Sequence, residues 1–267
     1  MDVDKTIELI NGLKDIPAMP HVIVRVLKLL YEDKAGASEL ADVVRCDQAL
    51  CSKFLSLINS AYYGFGKQIT SINMAISLLG LAKTKNIIVA VAMSPLLSFE
   101  GAKSIWHHSL IVAAGCERLA EQYKIINPDD AFVMGFLHDI GKVVLNLIDS
   151  ESYKKFLKVK RPPDLAVLAE REKFGTDHSS TGAFLAVRWQ LPEVIKNAIR
   201  FHHYPLKAKD IVVPAIVNIV NNMVEDTFKE EMYDSELAEM IKLYIPDVMK
   251  EREEILSRGN LLIQSIS

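Results

Sequence analysis

His138 and Asp139 stand side by side inside the apolar run Ala131 to Leu147, AFVMGFLHDIGKVVLNL, and any chemistry of this chain must turn on them. Burying an ionised carboxylate without a partner is costly, so Asp139 is expected to be paired, metal-bound or hydrogen-bonded. Lys142 follows His138 by four residues. On a continuous helix the two share a face, and an anion held near His138 meets a positive charge. Asp139 and Lys142 are the candidates for any catalytic role. Six of the seven histidines fall between His107 and His203, each in or beside an expected helix. Singly, His138 reads as a hydrogen-bonded core residue, His178 as a first-turn residue, and His202 and His203 as caps for the last carbonyls of their helix. Together they point to a metal, because metal sites in helical bundles are built from side chains on several facing helices.

The elements that must position these residues are helices. Apolar positions recur at helical spacing from Asp4 to Leu13, Val22 to Tyr31, Ile69 to Leu79 and Leu81 to Leu97, with Ser38 and Asp47 as candidate caps for two helices between. Tyr62 to Gly66 forms an aromatic and glycine turn, read as packing at a helix joint or as a docking loop. Pro95 to Gly101 breaks the pattern. Ser104 to Tyr123 carries His107 and His108. Asn127 and Pro128 open the helix holding His138 and Asp139. Segments Tyr153 to Val159 and Leu165 to Phe174 follow, then a helix capped by Thr176 or Asp177 with His178 in its first turn. Pro192 opens one ending at His202 and His203, and Asp210 to Val224 carries Asn218, Asn221 and Asn222. Ser235 to Ile266 is divided by Pro246. With almost no period-two alternation, the fold class is all-α: a multi-helix bundle with an N-terminal helical lobe at 1–97, a second lobe at 98–226 and C-terminal helices at 227–267.

Composition narrows the classes further. The 267 residues are 50% hydrophobic and 24% charged with a net charge of −3, which favours neither disorder nor a nucleic-acid surface. The start lacks the pattern of a signal peptide, and the apolar run Ile87 to Leu97 is too short to span a bilayer, so a cytoplasmic chain without membrane contact is expected. Cys46, Cys51 and Cys116 show no disulfide or zinc-ribbon spacing and read as reduced core thiols.

FLHDIGK, preceded by WHHS and followed by DHSSTGAFLAVRW and IRFHHYP, resembles the HD superfamily of metal-dependent phosphohydrolases. IPAMPHVIVRVLKLL, VVRCDQALCSKFLSLINSAYYG and SINMAISLLGL resemble, in order and spacing, the HDOD family of bacterial signalling domains. The resemblance covers roughly Ile7 to Glu225. It implies a metal set of His108, His138, Asp139, His178, His202 and His203, with His108 fitting better than His107 and Lys142 matching the lysine of the related HD-GYP phosphodiesterases. The closing aspartate of those enzymes should fall where this chain has Asn221. Losing that carboxylate removes a charge from the site, and imidazoles with one carboxylate suit iron, zinc or nickel better than magnesium, with manganese a further candidate. The expectation is a signalling or regulatory module with a protein partner and without turnover. A metal-dependent phosphohydrolase acting on a nucleotide is the alternative.

Overall fold

Helix starts in this chain are set by side chains that satisfy the first free amides. Asp47 accepts from the Leu50 amide at 3.0 Å, Ser71 from Met74 at 3.2 Å, Asn127 from Asp129 at 2.9 Å and Asp177 from Ser180 at 2.9 Å. Ser38 is not a cap. Gly36 holds that position, its amide donating to the Glu39 carboxylate at 3.0 Å, and Ser38 falls inside the first turn.

The computed structural model describes residues 8–10, 12–13, 16–31, 36–60, 63–97, 99–227 and 245–266. Tyr62 and the expected helix at 235–244 lie outside them. Among the described residues there are helices and no strand. The first half is α1 (His21–Tyr31), α2 (Ala37–Arg45), α3 (Gln48–Ile58), α4 (Ile72–Leu79), α5 (Leu81–Met93) and a 3₁₀ turn at Ser94–Leu97. Then come α6 (Ala102–Tyr123), α7 (Pro128–Leu137), α8 (Lys142–Ile148), α9 (Ser150–Leu157), α10 (Pro163–Phe174), α11 (His178–Arg188) and α12 (Glu193–Phe201). The last are α13 (Val212–Val224), α14 (Ile245–Lys250) and α15 (Arg252–Ile266).

The long helix α6 is the axis, packed by α7, α13 and α15. A Cβ built on Gly115 of α6 would lie 2.5 Å from Val220 and 2.8 Å from Ile255, so α13 and α15 approach α6 more closely than any larger residue permits. One continuous core runs from Ile10 to Leu262 across both lobes and the C-terminal helix. A smaller one, Ile105, Leu145, Tyr153, Phe156 and Phe174, sits under α9 and α10. Tyr63 and Phe65 pack partly buried against the main core, their rings parallel at 6.2 Å, and the Asn59 side chain closes their loop on Ile69 at 2.7 and 2.8 Å. The core-thiol expectation holds for Cys116, which is buried, and in part for Cys51, which is half-buried against the core, and fails for Cys46, which is exposed at the C-cap of α2.

Where α5, α6, α7 and α15 meet, Glu117 is only 6% exposed. Burial pushes its carboxyl up to about 7, with Glu121 and Asp129 adding to the rise and Lys83 and Arg258 opposing it.

The stretch Pro128–Ile148 is long and apolar enough to cross a membrane by length and composition, and 78% of its most apolar window is buried in protein. It is not the single helix that its periodicity predicts. The ladder breaks at His138 to Gly141, where Ile140 bonds to Leu137 at 3.0 Å, Lys142 to Asp139 at 3.0 Å and Val143 to Ile140 at 3.1 Å, all three-residue steps. A 3₁₀ turn eclipses residues three apart. Lys142 therefore stands over Asp139 instead of over His138.

Candidate metal centre

Gly141 sets the position of the centre. A Cβ there would lie 1.9 Å from the His178 carbonyl oxygen and 2.4 Å from the Gly182 nitrogen, so only glycine lets the α7–α8 turn touch the start of α11. Thr181 Oγ1 donates to the Gly141 carbonyl at 3.0 Å and locks the contact. His178, the first residue of α11, is thereby set beside Asp139.

All six residues singled out in the sequence come together. His108 arrives from α6, His138 and Asp139 from the tight turn, His178 from α11, and His202 and His203 from the end of α12. Asp139 joins two groups. Its Oδ2 lies 3.3 Å from His138 Nε2 and 3.7 Å from His108 Nε2, while its Oδ1 lies 3.3 Å from His178 Nε2 and 4.0 Å from His202 Nε2. Between rings, His108 and His138 approach to 3.3 Å, His178 and His202 to 3.2 Å, and His178 and His203 to 2.9 Å, in each case Nε2 to Nε2. His107 stays outside, its ring tilted against Trp106.

The ring hydrogens decide what these contacts are. His138 Nδ1 faces the Gly135 carbonyl at 2.7 Å and His202 Nδ1 the Ile199 carbonyl at 2.9 Å. His178 Nδ1 faces Glu170 at 2.6 Å, and His108 Nδ1 faces Glu225 at 3.2 Å. Carbonyl and carboxylate oxygens only accept, so in all four rings Nδ1 carries the hydrogen and a neutral ring presents its Nε2 lone pair inward. Converging lone pairs repel unless a cation lies among them. Nitrogens bound to zinc at 2.0–2.1 Å sit about 3.3 Å apart at tetrahedral angles, close to the spacing seen here. His108, His138 and Asp139 would form one donor set for a divalent transition metal and His178, His202 and His203 a second, with Asp139 Oδ1 facing the second set.

Electrostatics favour the neutral ring at His138, His202 and His203, and the charged ring at His178. Burial, reinforced by the neighbouring imidazoles, holds His202 and His203 well below the usual histidine range, and burial holds His138 down as well. For His178 burial is outweighed by Glu170 and Asp139, which raise it. Burial alone would raise Asp139, but His138, Lys142 and His178 hold it well below the usual carboxylate range. Lys142 donates to Asp139 Oδ2 at 2.5 Å.

Beside the centre opens a cavity of about 320 Å³, whose wall includes His108, Asp139, Lys142, His178, His203 and Asn221. Asn221 of α13 places its neutral amide on this wall. Two residues that the sequence reading missed are the orienting carboxylates. Glu170 is 1% exposed, accepting from both the amide and the ring of His178 at 2.9 and 2.6 Å, and Glu225 holds His108. A signal for Glu170 was present: it shares the inward stripe of α10 with Val167 and Phe174, three and four residues away.

Helices that converge imidazoles on a histidine–aspartate turn define an all-helical bundle of the HD type. The chain belongs to the HDOD domain family, whose model matches residues 16–205. An uncharacterised protein of Treponema pallidum (strain Nichols) is 26% identical over 215 residues, covering 78% of this chain, which spans only 42% of that relative's length. Two crystal structures share the fold. An HDOD domain protein with unknown function from Geobacter sulfurreducens is 24% identical with a TM-score of 0.83, over 99% of this chain and 96% of that one. A Marinobacter aquaeolei protein named "Putative signal transduction protein" is 19% identical with a TM-score of 0.83, over 99% and 65%.

Proposed function

We propose that this chain is a cytoplasmic regulatory module of a signalling pathway, acting through a protein partner without catalytic turnover. His108, His138, Asp139, His178, His202 and His203 hold one or two divalent transition metals, iron, zinc, nickel or manganese. The observation that carries the reading is the commitment of every carboxylate on the cavity wall. Asp139 is taken by Lys142, Glu170 by His178 and Glu225 by His108, and Asn221 on the same wall is neutral. At a metal centre hydrolysis needs a metal-bound water at an open position and a group that takes up its proton, and none of these carboxylates is at liberty for the second task. The Marinobacter neighbour's signalling name agrees with the reading. We divide the chain for this role into an N-terminal lobe at 1–97, a metal-holding lobe at 98–226 and a C-terminal part from 227.

A metal-dependent phosphohydrolase acting on a nucleotide is the second reading, favoured by a cavity that reaches the centre and by the Lys142 ammonium on its wall. Untagged protein analysed for metal and then assayed against generic phosphodiesters and cyclic dinucleotides separates the two. The expected result is bound metal and no turnover. Turnover abolished by Asp139→Ala overturns the proposal in favour of the enzyme, and protein that stays metal-free after anaerobic supply of iron or manganese overturns both.

A further inference from the structure

The cavity beside the centre has a second wall. The connection between α9 and α10, residues 158–162, brings Lys158, Lys160 and Arg161 to the lining of the same cavity as Asp139 and His178. Arg161 anchors this strap: it donates to the Phe156 and Val159 carbonyls, each at 3.0 Å, and its guanidinium lies 4.3 Å from the centre of the Phe156 ring. The charges of the two walls are not equivalent. Each acid of the inner wall is engaged by a ring or an ammonium, as described above. Among the described residues, no carboxylate comes within 4.0 Å of the Lys158 or Lys160 ammonium, and Glu100, the acid whose field reaches Lys158, is paired with Lys154. The strap thus carries unneutralised positive charge towards a cavity floored by Ile105, Phe156, Pro163 and Ala166. Ligand pockets run from about 300 to 1,000 Å³, so 320 Å³ is at the small end of the range.

We infer that this cavity binds a small phosphorylated molecule of sugar-phosphate or mononucleotide size, its phosphate held by Lys158 and Lys160 of the strap and its body laid on the apolar floor facing the metal centre. This deepens the regulatory reading, on which it rests: the ligand is the signal the module senses. It differs from the hydrolase reading in holding the anion from the strap side, and the cavity volume is matched to a single nucleotide.

The test is calorimetric titration of the metal-loaded chain with AMP, inorganic phosphate, adenosine and a cyclic dinucleotide. Metal content is measured on the same samples, and each titration is repeated on Lys158→Ala/Lys160→Ala. AMP and phosphate are expected to bind and adenosine not to. The double variant should weaken AMP by roughly tenfold or more, the size of one lost charged hydrogen bond, with metal content and melting temperature unchanged. Equal AMP affinity in the double variant, or no binding of AMP or phosphate to metal-loaded protein, refutes the inference and leaves the regulatory reading standing. Tighter binding of the cyclic dinucleotide than of AMP refutes the size assignment. Protein that holds no metal refutes the metal-loaded module instead, and the lysine dependence of AMP binding then still decides the ligand.

Discussion

Replacing Glu117 by glutamine removes a charge from the junction of α5, α6, α7 and α15 while keeping the shape of the side chain. Its carboxyl is raised from 4.5 to about 7 in the folded chain. A carboxyl whose folded pKa lies above its unfolded value costs stability as it ionises. The cost is absent below the unfolded pKa, grows between pH 4.5 and 7, and is complete above that window. At 1.36 kcal/mol per unit, the shift amounts to about 3 kcal/mol. Glu117→Gln should therefore match the parent near pH 4.5 and exceed it at pH 8, by roughly 6 to 12 °C in melting temperature for a chain of this size. Thermal melts of both proteins across pH 4.5 to 8 supply the measurement, and the difference between the two curves isolates Glu117 from Asp129, Asp130 and Asp164, whose carboxyls burial also raises. Parallel curves, with no gap opening towards high pH, would show that Glu117 is solvated in the folded chain and that the reasoning is wrong.

Gly141→Ala forces a methyl into the His178 carbonyl and should cost about 3 kcal/mol or more, at the top of the overpacking range, with metal content falling alongside in elemental analysis. Glu170→Gln keeps a hydrogen-bond acceptor for the His178 ring but removes the charge behind it; metal affinity measured by competition with a chelator should drop about 10- to 100-fold. Stripping bound metal from the parent with a chelator should lower the melting temperature, and returning zinc should restore it, whereas Asp139→Ala should respond to neither. A thiol reagent should label Cys46 in the native protein at once and reach Cys116 only on unfolding.

The helices and their caps were legible because Asp47, Asn127, Asp177 and the prolines are local signals whose physics does not depend on distant chain. The six clustered residues were legible for a different reason: a carboxylate beside an imidazole in an apolar run needs a partner, and further histidines recur on later helices. The tight turn between α7 and α8 was not legible. Ala131 to Leu147 keeps helical spacing on both sides of the break, and the reason for the break is a contact with Gly182, about forty residues away. Helical spacing therefore pairs Lys142 with His138, whereas the turn sets it on Asp139. Glu225 escaped notice because its partner His108 lies on another helix, and nothing in the local pattern of NNMVE marks it.

The close packing of Gly115 against Val220 and Ile255 bears on where this domain can be cut. The family match ends at residue 205, yet α13 and α15, which seat on that glycine, lie beyond it, as do Asn221 and Glu225. A fragment trimmed to the matched region would lose part of the metal-facing wall and bare a strip of α6 shaped for two missing helices. The packed unit thus extends beyond the residues that the family model matches, and domain-swap or fusion experiments should keep α13 and α15.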